Sequence, residues 1–116
     1  MTQIVINQQI KWEELFSYSD NYIVFFYNET CLYCHEMIKE IVGFAEQDIV
    51  MTYFMDTSIN HVILRKDLEP QIGANSIDDF YIIGTPSIIE IDEGMVVAHL
   101  AGLDDCLSYL NEKRIK

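Results

Sequence analysis

The sequence predicts an α/β fold, a mixed five-stranded sheet with helices on both faces. Three observations carry this. β-rich apolar runs alternate with stretches of helical periodicity through the first 70 residues. The run "YIVFFY" is apolar on both alternating sides, as a strand covered by other elements on each face requires. The last two β-rich runs meet at "DEG", a hairpin signature in which Gly94 supplies the permissive turn geometry. Alternating units first and a hairpin last give the order β-α-β-α-β-α-β-β-α.

Taken in order, "QIVI" is a short β-branched run and reads as the first strand. "NQQIKWEELFSY" follows as a helix, with Asn7 as a candidate N-cap and Trp12, Leu15, Phe16 and Ser19 at helical spacing. "NYIVFFY" is the central strand. From Cys34, Ile38, Ile41 and Ala45 make one stripe, with Met37 and Phe44 beside it and Glu36, Lys39, Glu40 and Glu46 outside. "DIVMTYFMD" reads as the third strand. "TSINHVILRKDLEP" reads as a helix with Ser58 as candidate N-cap, which Pro70 must stop. "QIGANSIDDFYIIG" is mostly loop, and "TPSIIEIDEGMVVAHLAG" is the hairpin. "LDDCLSYLNEKRIK" closes the chain as a helix with Leu103, Cys106, Leu107 and Leu110 on one face, acids at its start and bases at its end, as a helix dipole favours.

At 116 residues the chain fits one domain, expected to span 1–116. Nineteen acids against seven bases give a formal charge of −12, which disfavours nucleic acid and anionic membrane surfaces as partners. The first residues lack a basic region followed by an uninterrupted apolar one, so the expected address is cytoplasmic. No apolar run approaches the ~20 residues that a membrane-spanning helix needs. Three cysteines cannot all pair within one chain, so a redox or metal role for two of them leads over a structural bridge.

The chemistry concentrates in "YNETCLYCHEM", where Cys31 and Cys34 sit two residues apart at the start of a helical pattern. The order of elements, Cys31-Leu32-Tyr33-Cys34 after a buried strand, Thr85-Pro86 before the hairpin and Gly102 after the last strand together resemble the thioredoxin family over essentially the whole chain. The resemblance implies a thioredoxin fold and a thiol-disulfide oxidoreductase that exchanges electrons with protein or peptide disulfides. It implies a reductase or other thiol donor as second partner, and neither cofactor nor metal. A cysteine at a helix N-terminus faces unpaired backbone N–H groups, which favour its thiolate and lower its pKa below the ~8.5 of a free thiol. On that geometry Cys31 is the exposed nucleophile and Cys34, one turn on, the buried resolving thiol. By resemblance Pro86 follows a cis peptide bond facing the cysteines, and the Thr85 backbone pairs with substrate. Leu32, Tyr33 and Gly102 complete the expected substrate-binding set.

The sequence departs from the thioredoxin pattern at several positions. Thr30 replaces the usual Trp before the first cysteine, and Leu32-Tyr33 replaces Gly-Pro. Phe25 stands where thioredoxins keep a buried acid and Thr52 where its lysine partner aligns, so the proton relay to Cys34 is missing or rebuilt. His35, when protonated, favours a thiolate, whereas Glu29 and Glu36 as neighbouring anions oppose one. Tyr33-Cys34-His35 resembles disulfide isomerases and Cys-x-Tyr-Cys glutaredoxins, but no basic groove or Gly-Gly pair for glutathione is evident. The stretch from Asp56 to Pro86 is longer than in thioredoxins, and "EPQIGANSIDDFYIIG" reads as an added loop near the active end.

Rival readings are a binding module that docks partners without turnover, covalent haem at "CLYCH", and zinc held by Cys31 and Cys34 with His35, His99 or Cys106. Cys106 among leucines reads as a buried structural thiol, and His61 and His99 as surface or strand-end histidines. The hairpin returns the chain to the Pro86 end, so Asp104 and Asp105 are expected near the cysteines with Glu29 and Glu36. Asp78 and Asp79 are candidates to join them. A rim so acidic favours substrates with basic segments.

Overall fold

The structure, a computed structural model, describes residues 3–115. Four strands form the sheet: β1 (Asn21–Tyr27), β2 (Met51–Asp56), β3 (Ser87–Asp92) and β4 (Met95–Ala101), in the order β2-β1-β3-β4. β1 is parallel to β2 and antiparallel to β3, and β3 is antiparallel to β4, so the sheet is mixed. The helices are α1 (Gln3–Asn7), α2 (Leu32–Glu46) and α3 (Leu103–Arg114), with short 3-10 turns at Trp12–Glu14 and Ile77–Asp79.

β1 is buried from Tyr22 to Tyr27, and its alternation divides the core in two. Ile23, Phe25 and Tyr27 face a layer made by α1, α2 and α3, including Val5, Met37, Phe44, Cys106 and Leu110. Tyr22, Val24 and Phe26 face a second layer, where Trp12, Leu15, Phe80 and Ile82 come from 3-10 turns and irregular chain rather than from long helices. Trp12 and Phe80 stack there with ring centroids 5.9 Å apart. The buried stripe of α2 runs through Cys34, Met37, Ile41 and Phe44, the spacing of one helical face, with Ile38 and Ala45 at its edges. The turn of the β3–β4 hairpin is Glu93-Gly94, both at positive φ (51° and 79°), the geometry that suits a two-residue hairpin.

Three of the expected elements take another form. Among the described residues four strands are present instead of the expected five, because "QIVI" is helical: Val5 is fully buried in the α-helical layer, and such tertiary packing overrides the β preference of a short run. The pairing moves downstream, where Ile10 N–H donates to Phe54 O at 2.9 Å and Phe54 N–H to Gln8 O at 2.9 Å beside β2. The helix expected after Asn7 shrinks to Trp12–Glu14, with Lys11 rather than Asn7 at its cap position. No helix forms in the described chain between Ser58 and Pro70. There the Asp56 carboxylate accepts from Ser58 N–H (2.9 Å) and its hydroxyl (2.6 Å), turning the chain, and Asn60 Oδ1 takes the Trp12 N–H at 3.1 Å. Ile59, Val62 and Ile63 are β-branched, and Asn60 bonds to backbone, both of which weaken a helix.

The added loop lies along β4. Gly73 N–H donates to Val96 O at 2.7 Å, Val96 N–H to Ala74 O at 2.9 Å, and Gln71 N–H to His99 Nδ1 at 3.1 Å, so the loop covers a strand edge. His99 is accordingly buried in β4, not at a strand end, and burial pushes its pKa down. Asp78 and Asp79 belong to this segment: the Asp79 carbonyl accepts from Gln71 Nε2 at 2.7 Å.

Candidate active site

The chain leaves β1 at Tyr27, whose carbonyl takes the Thr57 N–H at 2.8 Å. Asn28 then builds a turn: its side-chain Oδ1 accepts from Thr30 N–H (3.0 Å) and the Thr30 hydroxyl (2.9 Å), and its carbonyl accepts from Cys31 N–H (3.0 Å). This Asx turn carries Cys31 to the N-cap of α2 in extended conformation. Sequence reasoning did not single out Asn28. Its signal is "YNET", an Asn immediately after a strand and three residues ahead of the N-cap of a helix.

Cys31 and Cys34 form a disulfide with a Cα–Cα distance of 5.2 Å. The Cys34 N–H donates to Cys31 Sγ at 3.1 Å, so an N-terminal amide of α2 ends on the sulfur itself. Cys34 is 3 % exposed and packs in the helical core layer, whereas Cys31 is half-buried. Leu32 and Tyr33 between them are 80 % and 61 % exposed and project outward. Phe25 stacks on Tyr27 (5.9 Å) and meets Phe54 edge-on (6.2 Å). Thr52 is buried, with its hydroxyl donating to Val50 O at 3.1 Å. Neither residue offers a carboxylate or an amine beneath Cys34.

Thr85-Pro86 is a cis peptide, Pro86 is buried, and the Thr85 carbonyl oxygen lies 3.6 Å from Cys31 Sγ. The Pro86 carbonyl takes the Gly102 N–H at 2.9 Å. Gly102 adopts φ 93° where β4 gives way to α3, a conformation that suits glycine and strains other residues. Cys106, one turn into α3, places Sγ 3.9 Å from Pro86 O and 3.8 Å from Leu100 O. Cys106 therefore packs beneath the proline, a position its spacing in "LDDCLSYL" does not disclose. Burial first, then the nearby Asp105 carboxylate, pushes its pKa up to about 12. With the protein reduced, iodoacetamide should label Cys106 only once the chain is unfolded, by peptide mass spectrometry. Labelling in the native state at the rate of Cys31 would contradict this placement.

His35 Nε2 donates to the Glu29 carbonyl at 2.7 Å, so the imidazole is held by the loop before the cysteines. Both residues, with Tyr27, Asn28, Cys34 and Ile38, line a cleft of about 410 Å³ behind the disulfide. On another side, Tyr33, Gly102, Leu103, Asp104 and Asp105 line a cleft of about 420 Å³, bringing two of the expected acids beside the inter-cysteine residues. Among the described residues no group of three or more His, Cys, Asp or Glu is placed to hold a metal ion. No helix of the described chain is long and apolar enough to cross a membrane.

The sequence matches no protein-family model and no curated protein. Solved structures do match. A thioredoxin from Plasmodium falciparum aligns over 91 % of this chain and 97 % of its own at 17 % identity and a TM-score of 0.67. An N21Q mutant thioredoxin from Halobacterium salinarum aligns over 91 % and 86 % at 16 % identity and 0.65. Spinach chloroplast thioredoxin f aligns over 92 % and 85 % at 16 % identity and 0.63. The fold is thioredoxin-like, and the Cys31–Cys34 spacing fits a family of that type.

Proposed function

We propose that this chain is a thiol-disulfide oxidoreductase acting on protein or peptide disulfides through Cys31 and Cys34, as one thioredoxin-like domain. The observation that carries the reading is the environment of Cys31 Sγ: it accepts the Cys34 N–H at a helix N-terminus and lies against Thr85 O beside Pro86, with Cys34 buried behind it. In the reduced protein that amide favours the thiolate, the attacking form. The Cys31 thiolate attacks one sulfur of a substrate disulfide, forming a mixed disulfide and expelling the first substrate thiolate, which takes a proton from water. Cys34 then loses its proton and attacks Cys31 Sγ, expelling the second substrate thiolate. Two electrons pass to the substrate, and the protein ends with the Cys31–Cys34 disulfide. A reductase or other thiol donor restores the dithiol. In a cytoplasmic setting, which suits the buried unpaired Cys106, the net direction is substrate reduction.

Thr85 offers backbone to an extended substrate, Pro86 and Gly102 shape the floor, and Leu32 and Tyr33 present contact surface. The test is direct. The reduced protein, freed of reductant, should reduce the interchain disulfides of insulin and accumulate its own disulfide in equal amount. No exchange with insulin or any small disulfide would defeat the reading and leave a docking module in its place. Because Asp104 and Asp105 flank Tyr33, the rate with a disulfide peptide carrying lysines should fall several-fold as salt rises from about 0.01 to 0.15 M. A flat salt profile would count against electrostatic steering.

A further inference from the structure

The segment between β2 and β3 has no role in the chemistry above, yet it makes a wall beside the reactive sulfur. Leu64 bridges Ile82 in parallel register, with Arg65 N–H donating to Ile82 O at 2.8 Å and Ile82 N–H to Ile63 O at 2.9 Å. Those two bonds hold residues 63–65 as a short rigid strip. Between the strip and the Thr85 loop lies a cleft of about 480 Å³, whose apolar lining is Val62, Leu64 and Ile82 and whose base is Lys66. Thr85 belongs to both places: it lines this cleft, and its carbonyl stands 3.6 Å from Cys31 Sγ. A chain whose disulfide reaches Cys31 along Thr85 therefore extends into the cleft.

Two features point to what the cleft takes. Leu64, in the wall of the cleft at Thr85, is 45 % exposed, and Leu32 and Tyr33 are exposed at the motif. Exposed apolar side chains gathered beside a reactive centre mark a contact surface. The second feature is charge. In a chain of formal charge −12, Lys66, like Lys11, Lys39 and Arg65, makes no ion pair among the described residues, and of these four bases it is Lys66 that lines the cleft. The acids Asp104 and Asp105 line a different cleft that shares no residue with this one.

The geometry points to a specificity site for one class of partner: an extended polypeptide disulfide with an apolar side chain followed by a carboxylate on the flank that enters the Thr85 cleft. The apolar side chain packs on Leu64 and Val62, and the carboxylate reaches Lys66. This rests on the exchange reaction proposed above and adds a preference to it. A basic residue on the substrate's other flank suits the cleft of Asp104 and Asp105. The protein thus reads the pattern of charge around a cysteine rather than net charge alone.

The probes are peptides with one cysteine held as a mixed disulfide with thionitrobenzoate, whose release is read by absorbance as Cys31 attacks the peptide sulfur. One flank carries a constant lysine and the other Leu-Glu or Leu-Lys, in both chain directions. In the faster direction, the Leu-Glu peptide should outrun the Leu-Lys peptide by about tenfold with the native protein. Lys66→Glu should reverse that ratio, and Leu64→Ser should slow both peptides relative to ones with Ser in place of Leu. Equal rates for the two peptides, or a ratio unmoved by Lys66→Glu, would overturn the proposal. If no disulfide reacts at all, the exchange reading fails, and the cleft is judged by binding alone. Amide resonances of Leu64, Lys66 and Ile82 should then move on adding the Leu-Glu peptide with serine for cysteine. Their standing still would overturn the cleft as well.

Discussion

Cys31→Ser is expected to reduce turnover of every disulfide substrate to the uncatalysed level, while Cys34→Ser stops the reaction half-way. A serine hydroxyl at position 31 supplies no anion near neutral pH and cannot form a disulfide, so no step of the exchange survives. At position 34 the outcome differs because the stabilising donor is main chain: the residue 34 N–H still points at Cys31 Sγ after substitution. Attack therefore proceeds and the mixed disulfide is not resolved, since the remaining thiol, Cys106, is buried under Pro86. Intact-mass spectrometry of Cys34→Ser mixed with a disulfide peptide should show a one-to-one adduct that dithiothreitol removes. If both variants retain full turnover, the chemistry lies outside the motif.

Much of this site was legible because its parts are local. The N-cap position of Cys31 follows from a strand that stops at Tyr27 and a helical pattern that starts at Leu32, and the hairpin that leads out of Pro86 announces itself at Glu93-Gly94. What stayed hidden depends on distant partners. Val5 is helical because an apolar layer formed by α2 and α3 receives it, which no window around "QIVI" contains. Residues 58–70 carry enough Leu, Arg and Lys to pass for a helix, but their hydrogen bonds go to Ile82, eighteen residues after Leu64, and to Trp12. The same long-range pairing turns that segment into the wall of a cleft at Thr85, so the missed helix and the unforeseen contact surface have one cause. Cys106 shows the reverse case: its burial was readable from the leucines around it, whereas its position under Pro86 needed the sheet.

The largest stability effect outside the cysteines is expected at Glu90, a carboxylate buried in the middle of β3 at 8 % exposure. It accepts from the Tyr109 hydroxyl and from Lys113 Nζ at 2.9 Å on one oxygen, and from Asn21 Nδ2 at 2.9 Å on the other. The donors come from α3 and β1, so a single carboxylate fastens the C-terminal half of α3 to the sheet. The first turn of that helix holds Pro86 through Gly102 and Cys106. Burial alone pushes the Glu90 carboxyl up, but the hydrogen bonds from Tyr109, Lys113 and Asn21 outweigh it, and the net direction is down from 4.5. A folded-state value below the unfolded one means that the stabilisation is complete above the unfolded value and fades as pH falls through the folded one. Glu90→Gln should therefore cost roughly 2 kcal/mol at pH 7, the scale of hydrogen bonds to a charged group in a buried site. Gln does not ionise, so the gap between the two proteins should close as pH falls from above 4.5 through the lowered folded-state value, where the native carboxyl takes up its proton. Tyr109→Phe, which removes one donor and leaves the others, should lose a smaller part of the same stability. Urea midpoints at pH 7 and pH 3.5 read both effects, and a Glu90→Gln deficit that stays constant between them would show that the ionised carboxylate is not what holds α3 in place.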